Sequence, residues 1–345
     1  PSLGSTVPCG DSRPYNRRAM TDSKLTIWCN TRFDPQAEAL LREGIAPHQL
    51  IIPEKAARSN LVATEPDPQM SLAEIIFGQP DPQAALASER LRWIHLTSAG
   101  YTRYDTEEFR TAATRRNLIL TNSSTVYAEP CAQHAAAFVY AMARRLPQAF
   151  RSQQTDRAWP TEPLRESSVL LGGQRTLIFG FGAIAARLME LLAPLWLDIV
   201  GVRRTPVKNE PLNMVTPPES DALLPQADLI INILPDNAST RNYFNAERIS
   251  RFKRGVVFIN IGRGSTVDQD ALLAALDDGR ISAALLDVTS PEPLPTDHPL
   301  WRHPNCVITP HTAGGFRGEH EALVRHFLDN FERFNHQREM VDRII

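Results

Sequence analysis

Three segments in the second half of the chain place polar residues that could act together just past apolar runs. "INIGRGSTVD" carries Arg263 between two glycines, "LLDVTSPEPLP" carries Asp287 and Glu292, and "VITPHTAGG" carries His311. Each run reads as a strand, and open α/β sheets bind ligands beyond the carboxyl ends of their strands. A guanidinium, a carboxylate and an imidazole are therefore expected to converge there. Together they suit the reduction of a 2-keto acid. A ketone that accepts a hydride becomes an alkoxide and needs a proton, which an imidazole can donate near neutral pH. A carboxylate partner orients such a ring and favours its charged form. A guanidinium holds a carboxylate through two parallel hydrogen bonds and polarises the adjacent carbonyl. Taken singly, a histidine is more often structural and Glu292 could be a solvated acid. The order Arg, Glu, His on successive strand ends is what makes the set specific.

A hydride donor is suggested upstream. "GFGAIA" (180–185) follows the apolar run "RTLIF". Gly180 permits a tight turn, Gly182 lets a pyrophosphate approach the backbone, and the third position needs only a small residue, so Ala185 is tolerated. The helix that starts at this turn offers unpaired N–H groups and a positive dipole end. A bare glycine pattern is weak, because such turns end many strands; the next strand, "LDIVGV", follows at the right interval. It ends in Arg203, where an acid would hold the ribose 2′-hydroxyl of NAD. Arg203 and Arg204, with the Thr205 hydroxyl, would instead bind a 2′-phosphate. The expectation is NADPH over NADH, with NAD possible; the plain alternative is a pair of solvated arginines.

These residues need two α/β lobes to position them. At 345 residues, 42% hydrophobic and 22% charged, the chain is long enough for two domains. Runs at 24–30, 49–53, 74–78, 92–97 and 117–121 read as strands, with helices at 35–44 and 81–90 between them. A longer helix is expected at 130–146, with Pro130 in its first turn and Pro147 ending it. A polar segment (147–168) leads to a second alternating set, with strands at 175–180, 197–202, 228–234, 256–261, 282–288 and 306–311. Helices fit 183–194, 241–251 and 267–278. Strands that are nearly all apolar imply parallel sheets covered on both faces. The closing segment 318–334 spaces Leu323, Phe327, Phe331 and Phe334 as a helical stripe. Residues 1–22, rich in Pro, Gly, Ser and Arg, read as a disordered extension or cloning remnant.

A net charge of −2 gives no case for nucleic acid or a membrane surface, and no apolar run is long enough to span a bilayer. Cys9, Cys29, Cys131 and Cys306 are scattered, which argues against a disulfide framework or a metal site and fits the reducing cytoplasm. His134, on the long helix, reads as a packed residue; His95 is a minor candidate; His298 and His303 lack metal-ligand spacing. Tyr101 and Trp301 could line a substrate pocket, although packing is their plainer role.

The chain resembles the D-isomer-specific 2-hydroxyacid dehydrogenases, particularly the glyoxylate/hydroxypyruvate reductase-like branch. The likeness runs over nearly all of residues 24–345. It rests on "LRWIHLTSAG", "YAEPCAQHAAAFVYAMARRLP", "LIFGFGAIA", "FINIGRGSTVDQDAL", "LLDVTSPEPLP" and "HPLWRHPNCVITPHTAGG", in that order. The resemblance implies a flavodoxin-like substrate domain (23–123 and 318–345) and a Rossmann-type dinucleotide domain (124–317), usually joined as homodimers through the latter. It implies that Arg263 binds the substrate carboxylate and carbonyl, that His311 is the acid/base and that Glu292 is its partner. Backbone groups of Ser98, Ala99 and Gly100 would grip the substrate carboxylate. Asp287 and Ile261 would meet the nicotinamide, with Ala183, Ile184, Leu234, Pro235 and Ala313 completing the cofactor set. Gln133 stands where the family usually has Glu, from which a packing or hinge effect is expected. The partner implied is a small 2-keto or 2-hydroxy acid. The alternatives are a dinucleotide-sensing regulator on the same fold and a dehydrogenase of a bulkier 2-keto acid.

Overall fold

The computed structural model describes residues 24–54, 67–205 and 213–345; the extension expected at 1–22 lies outside them. Five short strands form the first sheet: β1 (Thr26–Cys29), β2 (Gln49–Ile51), β3 (Ile75–Phe77), β4 (Trp93–His95) and β5 (Ile119–Thr121). Their order is β2-β1-β3-β4-β5, all parallel, which is the flavodoxin-like order. Seven strands form the second: β6 (Arg175–Phe179), β7 (Asp198–Val202), β8 (Asn213–Val215), β9 (Leu229–Asn232), β10 (Val256–Asn260), β11 (Ile281–Leu286) and β12 (Cys306–Ile308). They run β12-β11-β10-β9-β6-β7-β8, again all parallel. Counted from β6 this is the doubly wound nucleotide-binding order, with its switch point between β6 and β9. All of β3, β4 and β9 is buried, as expected of strands covered on both faces.

The helices begin where caps and prolines direct. Asp34 accepts from the Ala37 N–H at 2.9 Å to start Pro35–Gly44, and Asp81 accepts from the Ala84 N–H at 2.8 Å to start Pro82–Ala87. The long helix differs from its expected span. It covers Ser124–Ala143, so Pro130 lies inside it and Pro147 falls in the first turn of a separate helix, Leu146–Gln154. A proline there costs one backbone hydrogen bond, but Tyr127, Cys131, Ala132 and Ala135 are buried along the same element and hold it together. The break comes at Arg145, which takes the left-handed conformation (φ 56°). Residues expected to form a polar connection after 146 carry this helix and another, Thr161–Ser167. The helix expected at 241–251 shrinks to Ala246–Ser250, because the Asn245 side chain caps it by accepting from the Arg248 N–H. Helix Glu107–Arg116 and edge strand β8 were not anticipated. The former buries only Phe109 and Ala113, which leaves a faint period, and the latter is three residues long.

The closing helix, Glu319–Asn335, buries Leu323, Phe327, Phe331 and Phe334. It covers the first sheet: the Phe327 ring stacks on Phe77 at 4.3 Å and on Trp93 at 5.1 Å. Truncating Phe327 to alanine would cost about 3–5 kcal/mol. The chain end returns to β5, where the Ile344 N–H donates to the Leu120 carbonyl at 2.8 Å. The helix Ser124–Ala143 packs on the glycine-turn helix Ala183–Leu192, so one core runs from Phe77 and Phe327 through Ala132 and Ala135 to Leu188 and Ile259. Among the described residues, no helix is long and apolar enough to cross a membrane.

Candidate active site

The glycine turn opens onto a cleft of about 710 Å³. Gly180 has φ 89°, and a Cβ there would lie 2.8 Å from the Ile233 carbonyl group, so the turn presses against the end of β9. A Cβ on Gly182 would meet nothing within 4 Å; it would project into open space. No side chain caps the helix that starts at Ala183, so its first N–H groups have no partner from a capping residue. Ala185 is fully buried, in keeping with a position that tolerates only a small side chain. Ala183 and Ile184 line the cleft with the turn; Leu234 and Pro235 line it from the end of β9 and Ile261 from the end of β10. At the end of β7, Arg203, Arg204 and Thr205 border the same space. An open glycine face, an uncapped helix start and two arginines fit a dinucleotide with an extra phosphate.

A second cleft, of about 300 Å³, adjoins the first. Ala99, Gly100, Ile184, Ile261 and Arg263 line both. Arg263 follows β10, and its Nη1 donates to the Gly262 carbonyl at 2.7 Å. The other arm of the guanidinium lies against Gly100, where an added Cβ would come within 2.2 Å of Nη2. Ser98 is held by its hydroxyl, which donates to the Gly100 carbonyl at 2.6 Å and accepts from the Gln79 amide at 2.8 Å. His311 enters the cleft on a left-handed turn (φ 54°), with Nδ1 2.7 Å from Glu292 Oε2. The imidazole is 22% exposed. Burial pushes the Glu292 carboxyl up, but the His311 hydrogen bond, the Thr289 N–H and the nearby positive charges outweigh it and hold the group below its ordinary range. Glu292 does not line the cleft; it reaches it through the ring.

Asp287 is 2% exposed and lines the same cleft. Its carboxylate accepts from the Thr309 hydroxyl at 2.6 Å, the Thr312 N–H at 2.9 Å and the Ala313 N–H at 3.0 Å. Three bonds to one turn hold the backbone on either side of His311. His134 stands behind this turn, with Nε2 3.1 Å from Thr309 Oγ1 and 3.7 Å from Asp287.

The D-isomer specific 2-hydroxyacid dehydrogenase family, NAD binding domain, matches residues 136–313, just over half of the chain. The chain belongs to this family. Among curated relatives, it is 32% identical over 235 residues to a glyoxylate reductase of Thermofilum pendens, covering 66% of this chain and 67% of that protein. It is 30% identical over 196 residues to glyoxylate/hydroxypyruvate reductase A of Serratia proteamaculans, covering 56% of this chain and 61% of that one. The matches to these relatives thus span only 61–67% of their length. One similar solved structure is an NADPH-dependent glyoxylate/hydroxypyruvate reductase of Sinorhizobium meliloti in complex with NADP and malonate. It has a TM-score of 0.72 and 26% identity, covering 93% of this chain and 97% of that one.

Several residues weighed from the sequence lie away from the smaller cleft. His95 is fully buried, Nδ1 lying 2.7 Å from Thr121 Oγ1, and it lines neither cleft. Trp301 is 45% exposed and its indole donates to the Pro295 carbonyl. His298 caps a short turn by accepting from the Leu300 N–H, and His303 faces Asp277. Tyr101 borders the larger, glycine-turn cleft and not the smaller one. Gln133 is exposed; its amide donates to Glu129 at 2.6 Å, and Glu129 pairs with Arg187 of the glycine-turn helix. Sequence reasoning missed Thr31, Tyr127, Cys131 and Glu319, which line the smaller cleft. They come from four separate segments, and only tertiary packing brings them to one wall.

Proposed function

We propose that the chain reduces a small 2-keto acid, of glyoxylate or hydroxypyruvate size, to the D-2-hydroxy acid with NADPH. What supports this reading is the junction of the two clefts: His311, backed by Glu292, and the Arg263 guanidinium line the smaller cleft, which shares Arg263 with the glycine-turn cleft. A reduced nicotinamide bound there supplies the hydride. Arg263 takes the substrate carboxylate and polarises the carbonyl, with the backbone at Ser98, Ala99 and Gly100 beside it to grip the same carboxylate. His311 delivers the proton to the carbonyl oxygen, and Glu292 fixes the ring by accepting at Nδ1, which leaves Nε2 for the substrate. Asp287 positions the turn that carries His311 and Ala313 and keeps acceptor capacity for a carboxamide. Arg203, Arg204 and Thr205 favour the 2′-phosphorylated cofactor. The exposed side chains of Phe150, Trp159 and Leu170 lie in the segments flanking the helix Thr161–Ser167 and support a homodimer joined through this lobe. Buried, unpaired Cys29, Cys131 and Cys306 suit a cytoplasmic setting.

The test is loss of nicotinamide absorbance with the purified full chain, using glyoxylate, hydroxypyruvate and bulkier 2-keto acids, each with NADPH and NADH. Turnover with a small acid and NADPH is expected. Cofactor binding without oxidation by any of these acids would favour the sensing alternative and overturn the reading.

A further inference from the structure

We infer that Glu319, held by Tyr127, sets substrate preference in the smaller cleft: it selects 2-keto acids whose third carbon ends in a hydrogen-bond donor, a hydroxyl or an ammonium, over those ending in methyl or carboxylate. The inference rests on the reductase reading above.

The first turn of the closing helix brings a carboxylate into a cleft whose chemistry otherwise comes from the second sheet. The Tyr127 hydroxyl lies 2.9 Å from the Thr97 carbonyl oxygen and 2.9 Å from Glu319 Oε1. Arg263 lies against Gly100, three residues further along the same loop. Guanidinium and carboxylate both line the smaller cleft of about 300 Å³, so one small substrate shares that space with both. With its carboxylate on Arg263 and its carbonyl at His311, the substrate has only its third carbon left to meet Glu319.

Cys131 and His320 line the same cleft. Burial pushes the Cys131 thiol up to about 12, with the negative charges of Asp287 and Glu319 adding to it and Arg263 opposing, so the thiol stays neutral. His320, next in the helix, is tied to Asp34 at 3.1 Å. The contact with Tyr127 uses one of the roughly four acceptor positions of a carboxylate. A substrate donor satisfies another through a charge-assisted bond. A methyl group would dehydrate Glu319 without replacing its water, and a second carboxylate would meet like charge.

The test compares kcat/KM with NADPH for pyruvate, hydroxypyruvate, aminopyruvate and oxaloacetate in the full chain. Ratios within each variant cancel losses common to all substrates. Hydroxypyruvate is expected to exceed pyruvate, and oxaloacetate to be poorest; aminopyruvate shows whether the ammonium is accepted as well as the hydroxyl. In Glu319→Gln the hydroxypyruvate-to-pyruvate ratio should fall about tenfold and the oxaloacetate-to-pyruvate ratio rise about tenfold, one charge-assisted contact being worth roughly that factor. Tyr127→Phe should move both ratios the same way by less, and decides the matter if the Gln variant does not fold. Ratios within about twofold of wild type in a variant with wild-type circular dichroism overturn the inference while leaving the reductase reading intact. A wild type inert toward all four acids removes both.

Discussion

Two histidines follow or end strands in the two sheets, and only one is equipped for chemistry. His95 ends β4 in the first sheet; His311 follows β12 in the second. The His95 ring is packed among Phe77, Trp93, Phe327 and His326, and its nitrogens face the Thr121 and Ser123 hydroxyls. The His311 ring reaches a cleft and faces a carboxylate at 2.7 Å. The same contrast runs through the lobes. Both are parallel sheets of the same kind, but the guanidinium, the acid/base candidate and its carboxylate all stand beyond strands of the second. The first lobe contributes loop backbone at Ser98–Gly100 and the side-chain wall of Thr31 and Glu319. Strand-end position alone therefore does not make a catalytic site; a charged partner and an opening to substrate do.

The sharpest way to break this comparison is to remove the ring assigned to chemistry. His311→Gln should lower kcat by about 10²–10⁴, the usual value of positioned proton transfer, with cofactor binding measured by nicotinamide fluorescence largely kept. Near-normal turnover would mean that the two histidines do not differ as argued. Arg263→Gln comes next, at about 10²–10³ in kcat/KM, the scale of losing one preorganised donor to a developing oxyanion. A steady-state assay that showed only a small rise in KM would assign Arg263 to the wall of the cleft, not to the carbonyl.

The residues named so far differ in how legible they were in the sequence. The second sheet announced itself through glycine turns and long apolar runs, because its polar residues lie one to six residues past strand ends. Gly182 and Arg203 could be read from spacing, since the turn, the helix and the next strand are contiguous in the chain. Tyr127 and Glu319 could not: they are far apart in the chain and meet only because the closing helix returns to the first sheet. The start of the long helix was misjudged for a related reason. Pro130 reads locally as a helix start, and burial of Tyr127, Cys131 and Ala132 overrides it through contacts that no local window contains. His95 looked available because it flanks the substrate loop; its burial depends on the aromatic residues of the closing helix.

The cofactor end of the second lobe gives a smaller effect. Arg203→Asp should raise the KM for NADPH by about 10–100-fold, since losing a charge-assisted bond and gaining repulsion act together. The KM for NADH should change little. An unchanged NADPH-to-NADH ratio would make the arginine pair a solvated surface feature.

The smallest effect falls on the buried histidine, and it is a stability effect. Burial holds His95 well below the ordinary histidine range, and the positive charge of His326 adds to this. In the unfolded chain the ring takes its proton near pH ~6.5. Between that value and its lower folded value, the unfolded state binds more protons, so stability rises with pH. The contribution is fully present above about pH 6.5 and is lost as pH falls below it. Asp342 belongs to the same cluster: its carboxylate lies 3.2 Å from His326 Nε2 and accepts from the Thr125 N–H at 2.8 Å. Burial raises it, but those partners hold it below its ordinary range, so its contribution is lost only as pH falls below about 3.9. Between about pH 7 and 5 Asp342 stays ionised in both states and adds no slope. Melting curves between about pH 7 and 5 should therefore fall more steeply for wild type than for His95→Gln. The variant itself should be weaker by roughly 1–2 kcal/mol at neutral pH, from the lost buried hydrogen bond, with turnover within about twofold. Equal slopes would show that His95 carries a proton in the fold, and the distinction drawn between the two strand-end histidines would then fail at its quieter member.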